Sequence, residues 1–182
     1  VSQPVNTGHL GFRLAPRLNA GGRLETAEQC VKLLTTKDEA EATAIATHLN
    51  GLNQERQAME KQIVEHAISA IPAQVNFRTD FAIVILGQEW NNGVIGLAAG
   101  RICEKYHFPT IVLSQHGDLA VGSCRSIPGV DIHQMLTACK ALYQAEGHGQ
   151  LFERFGGHSQ AAGLTIRAEL VPELRRLLNR VI

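Results

Sequence analysis

Between residues 38 and 71 the chain holds no proline, and apolar side chains return at Ile45, Leu49, Leu52, Met59, Ile63 and Ala67, in steps of 4, 3, 7, 4 and 4. Those steps align one apolar stripe on an α-helix, where about 3.6 residues make a turn. A helix of about 30 residues runs about 45 Å, too far for the interior of a small domain. Its length marks it as a connector between two domains, with an interruption expected near Asn50-Gly51. Thr36, with Glu39 three residues on, has the spacing of a capping box at its start. Pro72 is expected to end it. A shorter helix is expected over 25–34.

Beyond Pro72 the period changes. Residues 81–86 form a continuous apolar, β-branched run, the pattern of a buried strand. A loop over 87–92 leads to a helix over 93–105 that turns Val94, Ile95, Leu97, Ala98 and Ile102 inward. Strands are expected over 110–113 and 119–124, joined by a turn at 115–118. Asp131 is placed to cap a helix reaching about Ala145, and a strand over 163–167 and a helix over 169–181 close the pattern. Strands alternating with helices predict an α/β domain, its sheet covered by helices and preceded by the long connecting helix.

The length of 182 residues and the 45% apolar content suit one globular domain plus an appendage. Lys+Arg and Asp+Glu balance at 17 each, which excludes a protein that holds nucleic acid by a bulk positive field. Any such contact must come from a few placed cations. The balance also hides a gradient: residues 1–24 carry Arg13, Arg17 and Arg23 and no acid, whereas 25–70 hold eight acids against four bases. Cys30, Cys103, Cys124 and Cys139 form no CxxC pair, and no His stands at zinc-finger spacing. Reduced thiols in the cytoplasm are expected rather than a zinc site or a disulfide scaffold. There is no run of about 18 apolar residues and no signal-peptide layout, so no membrane segment is expected. The first residue is Val, and the chain reads as a piece of something longer.

No GxSxG, HExxH or Walker loop is present, and Asp38, Asp80, Asp118 and Asp131 are scattered where caps or turns would use them. A two-metal phosphoryl-transfer centre needs carboxylates and imidazoles converging on ions about 4 Å apart, and this chain alone does not supply one. Four glycine-containing segments stand out instead. APRLNAGGRL at 15–24 is either a loop that lets backbone approach a ligand, with Arg23 forking onto a phosphate, or an ordinary entry into a helix. WNNGVIG at 90–96 is a strand-to-helix turn whose amides could hold an anion, or a place where Gly96 permits close helix-to-sheet packing. GSCRSIPG at 122–129 brings two hydroxyls and a guanidinium to a strand end, a compact phosphate-binding set that a plain turn would also resemble. FGGHSQAAG at 155–163 exposes His158 and nearby amides at an expected helix start, although a lone His is more often structural.

In this order APRLNAGGRL, LNGLNQER, WNNGVIGLAAGRI, GSCRSIPGVDI and FGGHSQAAGLTI resemble the RecJ family of bacterial single-stranded-DNA-specific exonucleases, within the DHH phosphoesterase superfamily. Asn91 stands where that family has a His after the Trp. The resemblance implies that 1–24 is the tail of a DHH domain, 25–70 the connecting helices and 71–182 a DHHA1 domain. It implies a 5′-to-3′ exonuclease using Mn²⁺ or Mg²⁺, with the metal ligands and the catalytic residues outside this chain. The segment alone is then inactive and contributes substrate binding. Arg23, with Asn19, would lie toward the scissile or adjacent phosphate, Ser123, Arg125 and Ser126 toward the 5′-terminal phosphate, and Gly156, Gly157 and His158 at the floor of the cleft. His158 could also assist at the reacting phosphate. Implied partners are single-stranded DNA with a 5′ end, a single-strand-binding protein and a helicase, for a cytoplasmic monomer in DNA repair and recombination. Two other readings stay open: a DHH/DHHA1 phosphodiesterase for short oligonucleotides or cyclic dinucleotides, and a non-enzymatic nucleic-acid-binding module.

Overall fold

The computed structural model describes residues 4–181. They divide into two compact units, one through Met59 and one from Glu60. In the first, α1 (Thr7–His9) passes through a π-helical stretch at Leu10–Leu14 into α2 (Ala15–Leu24), and α3 (Glu28–Thr35) and the start of α4 (Glu39–Gln74) follow. The glycine pair expected to form a loop is therefore helical. Gly21 faces inward, where a Cβ would lie 2.7 Å from Cys30 Sγ and 3.0 Å from Leu49 Cδ2. The missing side chain lets α2 settle against the small core of Ala20, Cys30, Ile45, Leu49 and Leu52.

Helix α4 corrects three expectations. It runs unbroken through Asn50-Gly51, since Gly51 is exposed while Leu49 and Leu52 on either side are buried. Their burial outweighs the cost of about 1 kcal/mol for a helical glycine. It also passes Pro72, which lies in its last turn and removes one amide donor there, and Val75 N–H still reaches the Ile71 carbonyl at 2.8 Å. The cap is Asp38 rather than Thr36. Asp38 Oδ1 accepts from the amides of Ala40 at 2.9 Å and Glu41 at 3.3 Å, whereas the Thr36 hydroxyl is turned onto the Glu41 carboxylate at 2.6 Å.

The second unit contains β1 (Ile83–Gln88), α5 (Ile95–Tyr106), β2 (Thr110–His116), β3 (Leu119–Arg125), α6 (Ile132–Ala145), β4 (Arg154–His158), β5 (Ala161–Arg167) and α7 (Val171–Val181). They build a five-stranded sheet in the order β1-β2-β3-β5-β4. β1 and β2 are parallel, with α5 as their crossover, and the remaining pairs are antiparallel. Asp131 caps α6 as expected, its side chain accepting from Gln134 N–H at 2.9 Å. The expected helix start at the second glycine pair is instead the β4–β5 hairpin, with Ser159 and Gln160 as its two-residue loop. Gly157 is paired with Ala162 at φ +143, and a Cβ there would fall 2.5 Å from the Ala161 carbonyl oxygen, so the strand needs glycine at that point.

Side chains alternate between the faces of the sheet. α6 and α7 pack the face presenting Val84, Ile111, Leu113, Cys124, Leu164 and Ile166. α5 lies on the other face, where a Cβ on Gly96 would sit 2.8 Å from Ser123 Oγ. That helix packs against β2 and β3, and beyond it Gly156, His158 and Gly163 of the hairpin are exposed. The sheet is thus covered by helices as expected, except over this corner. Among the described residues no helix is long and apolar enough to cross a membrane.

Candidate functional site

The uncovered corner has a regular composition fixed by strand register. Ser123 on β3 pairs with Gly163 on β5, which pairs with Gly156 on β4. One step on, Arg125 pairs with Ala161, which pairs with His158. Because residues two apart share a face, both rows point to the side on which α5 lies. The structure therefore gathers Ser123 with Gly156 and Arg125 with His158, each pair 33 residues apart in sequence. Nothing lies within 4 Å of a Cβ built on Gly156, and one on Gly163 would touch only the Gly122 carbonyl oxygen at 3.7 Å. The glycines leave a bare floor between a hydroxyl and two nitrogen-bearing side chains.

Local hydrogen bonds hold this set in place. Arg125 Nη1 donates to the Cys124 carbonyl at 2.8 Å and reaches Ser123 Oγ at 3.3 Å. Ser123 then accepts from the guanidinium and keeps its own proton for a ligand. Backbone amides tie the turn after β3 to the hairpin tip, Ser126 N–H to the Gln160 carbonyl at 3.0 Å and Ile132 N–H to the Ser159 carbonyl at 2.9 Å. His158 Nδ1 accepts from Gln160 N–H at 3.3 Å, which assigns the neutral ring's proton to Nε2. The corner can thus offer a guanidinium, a hydroxyl and an imidazole N–H to an anion.

The remaining expected residues are placed differently. The Ser126 hydroxyl donates to the Val130 carbonyl at 2.7 Å, so its proton is used within the turn. Asn19 is exposed and Arg23 half-buried on α2 in the first unit. Asn91 makes an Asx turn, its Oδ1 accepting from Gly93 N–H at 2.8 Å while its carbonyl accepts from Val94 and Ile95. Gly96 allows the close helix-to-sheet packing expected of it, since its Cβ would also come within 3.2 Å of Arg125 Nη2. The alternation of Gly156 and Gly163 around the hairpin was the signal that could have revealed the floor.

Among the described residues no set fits a hydrolytic metal centre. Among the described residues, only Glu146, His148 and Glu173 bring enough ligand atoms together, within 4.8 Å of one another. Arg176 bridges Glu173 and Glu146, and Arg180 binds Glu146 as well, so guanidinium groups already supply the positive charge. The four cysteines are free and buried. Burial pushes the Cys124 and Cys139 thiols up to about 12, which leaves them protonated and unsuited to ligation or attack.

Comparison with known proteins places the chain in a family. The chain is 39% identical over 179 residues to the single-stranded-DNA-specific exonuclease RecJ of Bacillus subtilis, covering 97% of this chain and 21% of that protein. It is 34% identical over 171 residues to the Escherichia coli protein of the same name, covering 92% and 29%. The chain thus spans less than a third of either relative. The crystal structure of RecJ in complex with Mg²⁺ from Thermus thermophilus superimposes with a TM-score of 0.78 at 32% identity, over 94% of this chain and 25% of that one. Residues 78–182, more than half of the chain and the whole of the five-stranded sheet, match the model of the DHHA1 domain. The chain belongs to the DHHA1 domain family.

Proposed function

We propose that this chain is the substrate-binding part of a 5′-to-3′ exonuclease acting on single-stranded DNA. The carrying observation is the pair of registered rows, Ser123–Gly163–Gly156 and Arg125–Ala161–His158, on the exposed corner of the sheet. A guanidinium and a hydroxyl beside side-chain-free strands suit a terminal phosphate, which needs charge-assisted donors and close backbone approach. His158 lies two strands across from Arg125, beyond Ala161 of β5, and would donate from Nε2 to the same strand of DNA. Residues 1–24 would end a DHH domain, 25–70 connect, and 71–182 form the DHHA1 domain. Asn19 and Arg23 would serve a neighbouring phosphate. The Mg²⁺ or Mn²⁺ named for similar solved structures would be held by residues outside this chain. The enzyme would work in the cytoplasm as a monomer, with single-strand-binding protein and a helicase as partners in repair and recombination.

In such an enzyme positioning and chemistry are divided, as suits phosphoryl transfer, where orientation and electrostatics supply most of the rate. The test is binding of 5′-phosphorylated and 5′-hydroxyl strands to the full-length protein carrying this segment. Arg125→Ala should weaken binding of the phosphorylated strand by about 1.5 to 3 kcal/mol, the worth of a charge-assisted contact, and leave the hydroxyl strand nearly untouched. Equal loss for both strands, or none, would remove the 5′-phosphate from the corner.

A further inference from the structure

We infer that Arg154 is a second phosphate contact, set along β4 from the 5′-end clamp, so that the hairpin holds a strand at two points. The inference rests on the reading of the corner given above. On β4, Arg154, Gly156 and His158 alternate onto the same face. Arg154 occupies the next registered row, paired with Thr165, which pairs with Val121. It lies four residues from His158, about 13 Å along the strand, with exposed Gly156 between them. That distance takes roughly four nucleotides at the 3.4 Å rise of a stacked strand, and fewer if the strand is extended.

The side chain is exposed yet aimed. Arg154 Nε donates to Thr165 Oγ1 at 3.1 Å, and Thr165 is buried, so the hydroxyl orients the guanidinium at its root, while the terminal N–H groups make no hydrogen bond among the described residues. The acid next in sequence, Glu153, is taken by Arg167 at 3.6 Å. Arg154 itself has no carboxylate partner among the described residues. An exposed, oriented and unneutralised guanidinium at the far end of a bare floor is the arrangement a phosphate backbone requires.

The experiment measures fluorescence anisotropy with the full-length protein carrying this segment, divalent ions chelated. The probes are a 5′-phosphorylated thymidine dinucleotide and a 5′-phosphorylated strand of roughly 12 thymidines. Arg154→Ala should weaken the long strand about tenfold, lower the salt dependence by about 0.7 in log–log slope, and leave the dinucleotide unchanged. Arg154→Lys should restore the slope. If Arg125→Ala weakens both probes and Arg154→Ala weakens neither, the second contact is overturned while the clamp stands. Equal weakening of both probes by Arg154→Ala, with a lowered melting temperature, would mean a structural role and also overturn it. If Arg125→Ala affects neither probe, the reading of the corner fails first.

Discussion

Ser123 and Gly163 are register partners across β3 and β5, and Gly163 is in turn the partner of Gly156, so one hydroxyl overlooks two successive positions without side chains. The adjacent glycines of β4 then differ in kind. Gly156 has open space where a Cβ would be, whereas at Gly157 φ is +143 and a Cβ would meet the Ala161 carbonyl at 2.5 Å. Gly156→Ala should fold with a melting temperature near that of the parent and bind single-stranded DNA more weakly, because the methyl group stands on the floor. Gly157→Ala should cost about 1–3 kcal/mol of stability through backbone strain. Chemical denaturation alongside binding isotherms separates the two, and equal stability loss in both variants would contradict the assignment.

A second glycine pair offers the same contrast inside a helix. Gly21 is pressed against Cys30 Sγ and Leu49 Cδ2, while a Cβ on exposed Gly22 would have Ala27 Cβ at 3.9 Å as its nearest neighbour. Gly22→Ala should gain up to about 1 kcal/mol from helix propensity. Gly21→Ala gains the same propensity but overpacks the small core at about 1–3 kcal/mol, so its net effect is destabilising. Urea unfolding of both variants reads the sign directly.

The arginine-bridged carboxylates predict an acid-sensitive element. Hydrogen bonds from Arg176 and then Arg180 hold Glu146 below its ordinary value of 4.5, and Arg176 does the same to Glu173. A carboxyl whose folded-state pKa is depressed contributes stability above its unfolded pKa and loses it as pH falls toward the folded value. The melting temperature should therefore drop on acidification below about 4.5, and Glu173→Gln should flatten that drop. An identical pH profile for the variant would dissociate the pair from acid unfolding.

Much of the second unit was legible because its signals are local. The apolar runs that became β1 and β2 and the Asp131 cap of α6 each depend on a few consecutive residues. β4 escaped because RFGGH has little apolar character and its outer edge is unpaired in the sheet. The helical Gly21 of α2 was illegible for another reason, since its close approach to Cys30 and Leu49, outside its own motif, overrides glycine's local preference. Of the site, residue types were visible in the motifs, but register was not. Only strand pairing shows that Ser123 belongs with Gly156 and Arg125 with His158, and only the folded turn shows that Ser126, next to Arg125, spends its proton on Val130.

The order β3-β5-β4 has a thermodynamic consequence. Ser123 and Gly163 are brought together only after the chain has completed α6 and returned, so no part of the unfolded chain presents the floor. A ligand seated across these strands binds the native state alone and adds RT ln(1 + [L]/Kd) to its stability, about 2.7 kcal/mol at a hundredfold excess over Kd. Occupancy would thus act as a clasp over a strand pairing between segments distant in sequence, and the domain would resist unfolding most with a ligand across it.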